Sequence, residues 1–317
     1  EYDYRREFVS RNWATAYTIA AVESGELIKT ELPSELPQGM QAFTFNVRKP
    51  LLQHLAIRKA VGLAMDFEWI NKNMFYNAYT RNRSFFQYTP FEAKNVPEGE
   101  ELTLLEPYRD QLPVPLFTEN FTLPITDASG QNRDNLLKAQ QLLNEAGFKL
   151  VDGKRVDPTT GEPIKIEFLL NQATMQRVIM PMRKGLEKLG IEAAIRIVDD
   201  AQYQRRIETR DFDIISGWIN LGVFFPGAEQ QNYWHSSQAN IEGSNNVSGM
   251  ANPAVDNMIE RILSAKTLEE LEPASRALDR ILLWNHVVIP HWHSNSFRVA
   301  WWNKFGKPDN DPKYGMA

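Results

Sequence analysis

The sequence predicts an α/β fold, a sheet with helices packed on it, and one region carries most of that prediction. Ile164, Ile166, Phe168 and Leu170 alternate as one face of a strand does. Met175, Val178, Ile179, Met182, Leu186 and Leu189 then keep a helical period up to Gly190, with Pro181 placed early enough to kink the helix without abolishing it. Ile191, Ala193, Ile195 and Ile197 return to a period of two, a short helix follows over residues 201–209, and Phe212, Ile214 and Ile215 suit a short covered strand. Strand, helix, strand, helix, strand is the order expected of helices layered on a sheet.

The remaining elements fit around that unit. Residues 1–40 hold a polar opening, an aromatic stretch at Trp13 and Tyr17, and a connector punctuated by Pro33, Pro37 and Gly39. Phe43 and Phe45 alternate over residues 41–47, a strand that Pro50 ends. Ile57, Ala60, Val61, Ala64 and Phe67 recur at helical spacing, which leaves Arg58, Asp66 and Glu68 for a solvated or capping face. Residues 80–131 lose both periods, yet frequent prolines and aromatics mark a packed loop region, not disorder. Residues 134–147 form a helix with Leu136, Leu137, Leu142, Leu143 and Ala146 inward and Gly147 as its stop, and Asp152-Gly153 makes a turn. Two late helices follow, one capped by Asn252 with Pro253 at its first position, the other opened by a Thr267–Glu270 capping box. Residues 287–302 are strand-like.

With 317 residues, 43% hydrophobic and 24% charged, the chain is an ordinary globular protein, large enough for more than one core. A net charge of -5 gives no electrostatic reason for a nucleic-acid or acidic-membrane partner and slightly favours basic ligands. Zero cysteines exclude disulfides and thiolate metal sites while leaving the compartment open. No apolar run is long enough to span a bilayer.

The stretch from Asp211 to Gly249 is the candidate ligand-facing edge. Gly217 lets the backbone bend or be approached, and beyond it Trp218, Phe224, Phe225, Tyr233 and Trp234 alternate with Asn220, Glu229, Gln230, Asn232, His235, Asn245 and Asn246. Flat apolar walls with a few orienting polar groups build small-molecule and peptide pockets. A long surface loop pinned by its aromatics has the same composition.

Three constellations bear on chemistry. His291 and His293 lie two apart on a strand-like segment and share a face, so with His235 or His286 they could ligate a metal; Trp292, Ile289 and Phe297 around them suit ordinary packing, which predicts structural histidines. Asp199 and Asp200 diverge as neighbours at a strand end, and Asp200 reads better as a helix cap than as half of an acid–base pair. No Ser-His-Asp signature or glycine-rich phosphate loop is present, so the chain reads as a non-enzyme that needs no cofactor.

Several motifs in order carry a family resemblance. Phe45-Asn46-Val47-Arg48-Lys49-Pro50 with Ile57-Arg58-Lys59-Ala60 and Ala64-Met65-Asp66, then Gly217-Trp218, then residues 243–249 (GSNNVSG) with Asn252-Pro253-Ala254-Val255-Asp256, resemble the family 5 extracellular solute-binding proteins, the peptide-, dipeptide- and nickel-binding components of ABC importers. Residues 81–86 (RNRSFF), 104–113 (LLEPYRDQLP), 226–230 (PGAEQ) and the ending from Trp301 to Tyr314 are similar to its YejA-type oligopeptide-binding subfamily.

That resemblance implies a type II periplasmic-binding-protein lobe (lobe II) over residues 44–290, with a remnant of lobe I and hinge in 1–43 and a return segment to lobe I in 291–317. It implies a periplasmic chain without its signal peptide, a C-terminal portion whose partners are an oligopeptide or peptide-like ligand, inner-membrane permease subunits and the missing N-terminal part of the same protein. Trp218 and Trp234 would wall side-chain pockets, and Asn245 and Asn246 would orient the peptide backbone. Where peptide-binding relatives place an amine-anchoring Asp after Gly-Trp, this chain reads Ile219-Asn220-Leu221, so Glu229 with Gln230 is expected to take over part of that task. Phe43, Phe45, Trp292 and Trp301 are expected to form an apolar face toward the missing lobe. Nickel binding through His291 and His293, or a ligand-free docking domain, are the competing readings.

Overall fold

The computed structural model describes residues 2–220 and 222–306, apart from the side chain of Asn220. Glu1, Leu221 and the tail from 307, including the end of the expected return segment, lie outside the described residues.

In chain order the strands are β1 (Tyr4–Arg6), β2 (Leu27–Pro33), β3 (Met40–Phe45), β4 (Thr80–Arg81), β5 (Leu150–Val151), β6 (Lys154–Arg155), β7 (Lys165–Leu170), β8 (Glu192–Ile197), β9 (Ile214–Asn220), β10 (Val288–Pro290), β11 (Trp292–His293) and β12 (Ser296–Trp302). The main sheet has the order β10-β3-β9-β7-β8, with β7 parallel to both β8 and β9, and β3 antiparallel to β9 and β10. The two ends of the chain meet in a separate antiparallel sheet, β1-β12-β2. Asp152 and Gly153, both at positive φ, turn the β5–β6 hairpin as their sequence requires.

Period-two alternation sends the main sheet's side chains to two cores. Phe43, Phe45, Ile166, Phe168 and Leu170 face one side and meet the helices Leu55–Leu63, Phe67–Met74, Arg133–Glu145 and Ala173–Lys188. Met40, Ala42 and Ile219 face the other and meet the helices Pro253–Ser264 and Leu268–Trp284. The result is a sheet covered on both faces at its centre, while the edge strand β8 leaves Glu192, Ala194 and Arg196 exposed on the second face.

Several expectations are corrected. The strand at Phe212 starts later, at Ile214, and runs through Gly217 to Asn220, since Gly217 pairs with Ala42 in regular ladder register. Asp199, not Asp200, caps the helix Asp200–Glu208 by accepting from Gln202 N; Asp200 instead takes the Asn171 amide. Thr267 stands at the N-cap of the helix Leu268–Trp284 without a side-chain cap bond, and Glu270 reaches back one residue further, to Lys266 N. Arg58 is buried and donates to the carbonyls of Leu52, Gln53 and Asn285, while Leu137 is exposed. Of the four residues expected on an apolar face, Phe43, Phe45 and Trp292 are buried within the first core and only Trp301, on β12, is half-exposed; exposed apolar side chains sit at Phe8, Val9, Ile19 and Trp302 around the small sheet. The Asn252 cap and Pro253 stand as expected.

Candidate functional site

Parallel strands β8, β7 and β9 end on the same side of the sheet, the side where open α/β sheets gather ligands. Trp218 stands near the end of β9 opposite Gln41 and is 56% exposed. Phe224 and Phe225 follow it at 49% and 64%, with Phe225 edge-on to Phe91. The chain leaving β9 passes tightly under the connector between the two sheets: a Cβ on Gly222 would lie 2.1 Å from the Pro37 carbonyl oxygen, so only glycine fits. Tyr203 braces β9 from behind, its hydroxyl donating to Ser216 O at 2.7 Å while burial pushes its pKa up to about 12.

The rest of the 211–249 stretch is anchored inward. It contains the helix Glu229–Trp234 and a 3-10 turn at Ser236–Gln238, so it is less of a loop than its composition suggested. Trp234 is 1% exposed and sits edge-on to Phe85 in the second core. Gln230 and Asn246 are each fully enclosed. Asn246 donates to Met250 O and accepts from Gly249 N, pinning the turn that precedes the next helix. Glu229 turns its Oε1 back to Gly227 N and the Gln230 amide, acting as acceptor for its own helix start. Of the expected contact residues with described side chains, Trp218 and Asn245 are exposed and Glu229 is half-buried, while Trp234, Gln230 and Asn246 are buried.

Sequence reasoning gave no role to the two side chains that hold this stretch in place. Arg48 donates to the carbonyls of Ala239, Asn246 and Val247 and to Asn46 Oδ1. Arg210 donates to the carbonyls of Ile241 and Ser244. Burial first, then Arg210's charge, pulls Arg48 down to about 10, as expected for a cation stabilised by carbonyl dipoles and no carboxylate. Gly249, at φ +77, is where Arg48 passes: an added Cβ would lie 2.6 Å from guanidinium atoms. Thus the two motifs around Asn46 and Asn246, 200 residues apart, form one device. The visible signal was Arg48 inside the first motif, without any hint of its carbonyl partners.

A second anchor is Asp279, fully buried, which accepts from Ser84 Oγ, Phe85 N and Ala93 N and is raised to about 7 by desolvation against those three donors. His291 is enclosed against Phe43 and Trp292, and burial followed by Arg81's charge depresses it to about 3. His293 is engaged by Asn82, Gln87 and Tyr88. Among the described residues no three His, Asp or Glu side chains are grouped to hold a metal. No described helix is long and apolar enough to cross a membrane.

Residues 1–241 match the family model for bacterial extracellular solute-binding proteins, family 5 Middle. Across all 317 residues the chain is 38% identical to the uncharacterized protein YejA of Escherichia coli strain K12, covering 52% of that protein. It is 38% identical, over 99% of its length, to the probable peptide-binding protein YejA of Agrobacterium fabrum, again covering 52%. The chain therefore spans about half the length of these curated relatives. Its fold is similar to the oligopeptide-binding protein AppA of Bacillus subtilis, solved with a nonapeptide, at a TM-score of 0.68 and 17% identity, covering 95% of this chain and 52% of that one. With its motifs in the family's order and its model matched over most of the length, the chain belongs to the bacterial extracellular solute-binding proteins of family 5.

Proposed function

We propose that this chain forms one wall of a periplasmic receptor that holds an oligopeptide or peptide-like compound between two lobes and hands it to the permease of an ABC importer in the inner membrane. The observation that carries this reading is Trp218: a large aromatic, mostly exposed, at the carboxyl end of a central strand whose surroundings are otherwise locked by buried hydrogen bonds. Exposed aromatics on a rigid frame are what a binding surface requires and a monomeric surface avoids. The A. fabrum relative's name and the peptide-bound AppA structure support the ligand class. An extended peptide gains sequence-independent affinity through its backbone, and no covalent step is involved.

In this proposal Trp218 walls a side-chain pocket, Asn245 orients the peptide, and the half-buried Glu229 meets part of a cationic group. Gln230, Trp234 and Asn246 act from the interior by fixing the helix and turn that present them. The second wall comes from the part of the relatives that this chain does not match. Without it, contacts on one face cannot offset the several kcal/mol spent in immobilising a flexible peptide, so the chain alone binds weakly.

Calorimetry on a longer polypeptide containing this chain, titrated with an oligopeptide mixture, tests the reading. Trp218→Ala should weaken binding about tenfold, about 1.4 kcal/mol, with unchanged thermal stability. Equal affinity in the variant, or tight peptide binding by the 317-residue chain alone, refutes it.

A further inference from the structure

We propose a second binding site, away from Trp218 and independent of the peptide reading: the cavity between the helices Leu55–Leu63 and Arg133–Glu145 and the outer strand β10 takes a small anion with an apolar body, a medium-chain carboxylate. The cavity has a volume of about 370 Å³, within the size range of small-ligand pockets. Its walls are apolar, with Leu63, Phe121, Leu123, Leu142, Leu283 and Ile289 around it, and several of these remain half-exposed, so the space opens to solvent.

Its charge is one-sided. Arg58, Lys59, Arg81 and Lys138 line the cavity against a single carboxylate, Glu145. Arg58 spends its hydrogen bonds on carbonyls, and Arg81 on the Pro124 carbonyl and the Met65 sulfur, so each keeps its positive charge with no carboxylate bonded to it. Two nitrogens at this cavity are buried with no partner: Nε of Arg81 and Nε2 of His286. A buried donor is costly to leave unsatisfied, and the Arg81 Nε–H is one, on a residue that lines the cavity. Burial first, and then the charges of Lys59 and Arg58, push His286 down to about 3, so it is neutral here. The bonded register adds a further donor. Val287 O and His291 N face β3, which turns the Val288 N–H away from it on the strand that lines the cavity.

An apolar tail in the cavity with its carboxylate on Arg81 satisfies both features: it fills the volume and supplies the missing anion. A neutral lipid-like molecule would fill the space and leave the cations unpaired, and inorganic phosphate would do the reverse.

Calorimetric titration with octanoate and with octanamide separates these cases. Saturable octanoate binding is expected, with octanamide about tenfold weaker or worse, the worth of a charge-assisted hydrogen bond. Gly62→Leu fills the cavity from its helix wall, where a Cβ meets only Ile289 Cγ1 at 3.9 Å, and should abolish binding while the circular dichroism spectrum and melting temperature are kept. Arg81→Gln should weaken octanoate about tenfold and leave octanamide unchanged. If that variant does not fold, the ligand comparison and Gly62→Leu decide. Equal affinity for acid and amide, undiminished binding by folded Gly62→Leu, or no saturation at about 1 mM overturns the proposal.

Discussion

The Arg48–Gly249 contact allows a prediction worked from distances. In Arg48→Ala, the carbonyls of Ala239, Asn246 and Val247 lose their donor together. Arg48 is only half-buried, so water reaches part of the space, and each carbonyl is taken at the low end of the penalty for an unsatisfied group, about 1 kcal/mol; the sum is about 3 kcal/mol. In Gly249→Ala the new Cβ lies 2.6 Å from Arg48 atoms and occupies φ +77. The backbone term alone costs about 1 kcal/mol. The clash displaces the guanidinium, which adds about the same 3 kcal/mol that removing it does. The two single losses therefore contain one shared event, and the double variant should lose about 4 kcal/mol, well short of the sum of about 7. Urea unfolding of the four proteins measures the cycle. Additivity within about 0.5 kcal/mol would show that Gly249 is required for its backbone angle alone and that Arg48 does not close the turn.

Two further tests concern anchors away from the site. Asp279 is raised from its usual range to about 7, so the fold holds a proton there that the unfolded chain has already released; its contribution to stability is fullest below about pH 4 and falls as pH rises to 7. Asp279→Asn removes that fall, and relative to the parent it should be more destabilising at pH 5 than at pH 8 by urea midpoints; a difference that does not vary with pH rejects the raised carboxyl. Gly130 lies at φ +81 with its Cβ direction 2.9 Å from the Trp69 indole, so Gly130→Ala should cost about 1–2 kcal/mol and shift Trp69 fluorescence, and an unchanged midpoint would mean that the 129–132 turn relaxes freely.

The layered architecture was legible because the hydrophobic period reports it directly. Phe43 with Phe45, and Ile166 with Phe168 and Leu170, announce the first core, and the alternation at those positions is what the structure shows. The second face was read less well, since Met40, Ala42 and Ile219 are separated along the chain by a connector and a long irregular stretch. Arg58 and Arg48 were invisible as anchoring residues for a related reason. A helical wheel assigns a cation to solvent, whereas their carbonyl partners come from Asn285 and from residues 239–247, and no local pattern encodes where carbonyls without donors will converge. The shift from Asp200 to Asp199 has the same origin: a cap is defined by the residue at which the backbone turns helical, a one-residue matter that periodicity does not resolve.

The candidate site shows how far composition carries and where phase must take over. Trp218 and Trp234 stand in one stretch with similar neighbours, yet one is 56% exposed and the other 1%. What separates them is element identity. β9 continues through Gly217, so Trp218 is two places beyond Ser216, paired with Gln41 just before the ladder shifts register near the strand's end. Trp234 closes a short helix whose inner face packs against Phe85, where burial of an indole outweighs its unpartnered N–H. A glycine read as a break moved that boundary three residues early and gave both tryptophans the same role. The glycine that breaks the chain is Gly222, and the constraint on it is a carbonyl of the connector at Pro37, a contact from 185 residues away that no window around Trp218 contains. The exposed aromatic end of β9 is thus set by a long-range backbone crossing, which is why residue type alone gave the two tryptophans one role while only the fold could say which of them is exposed.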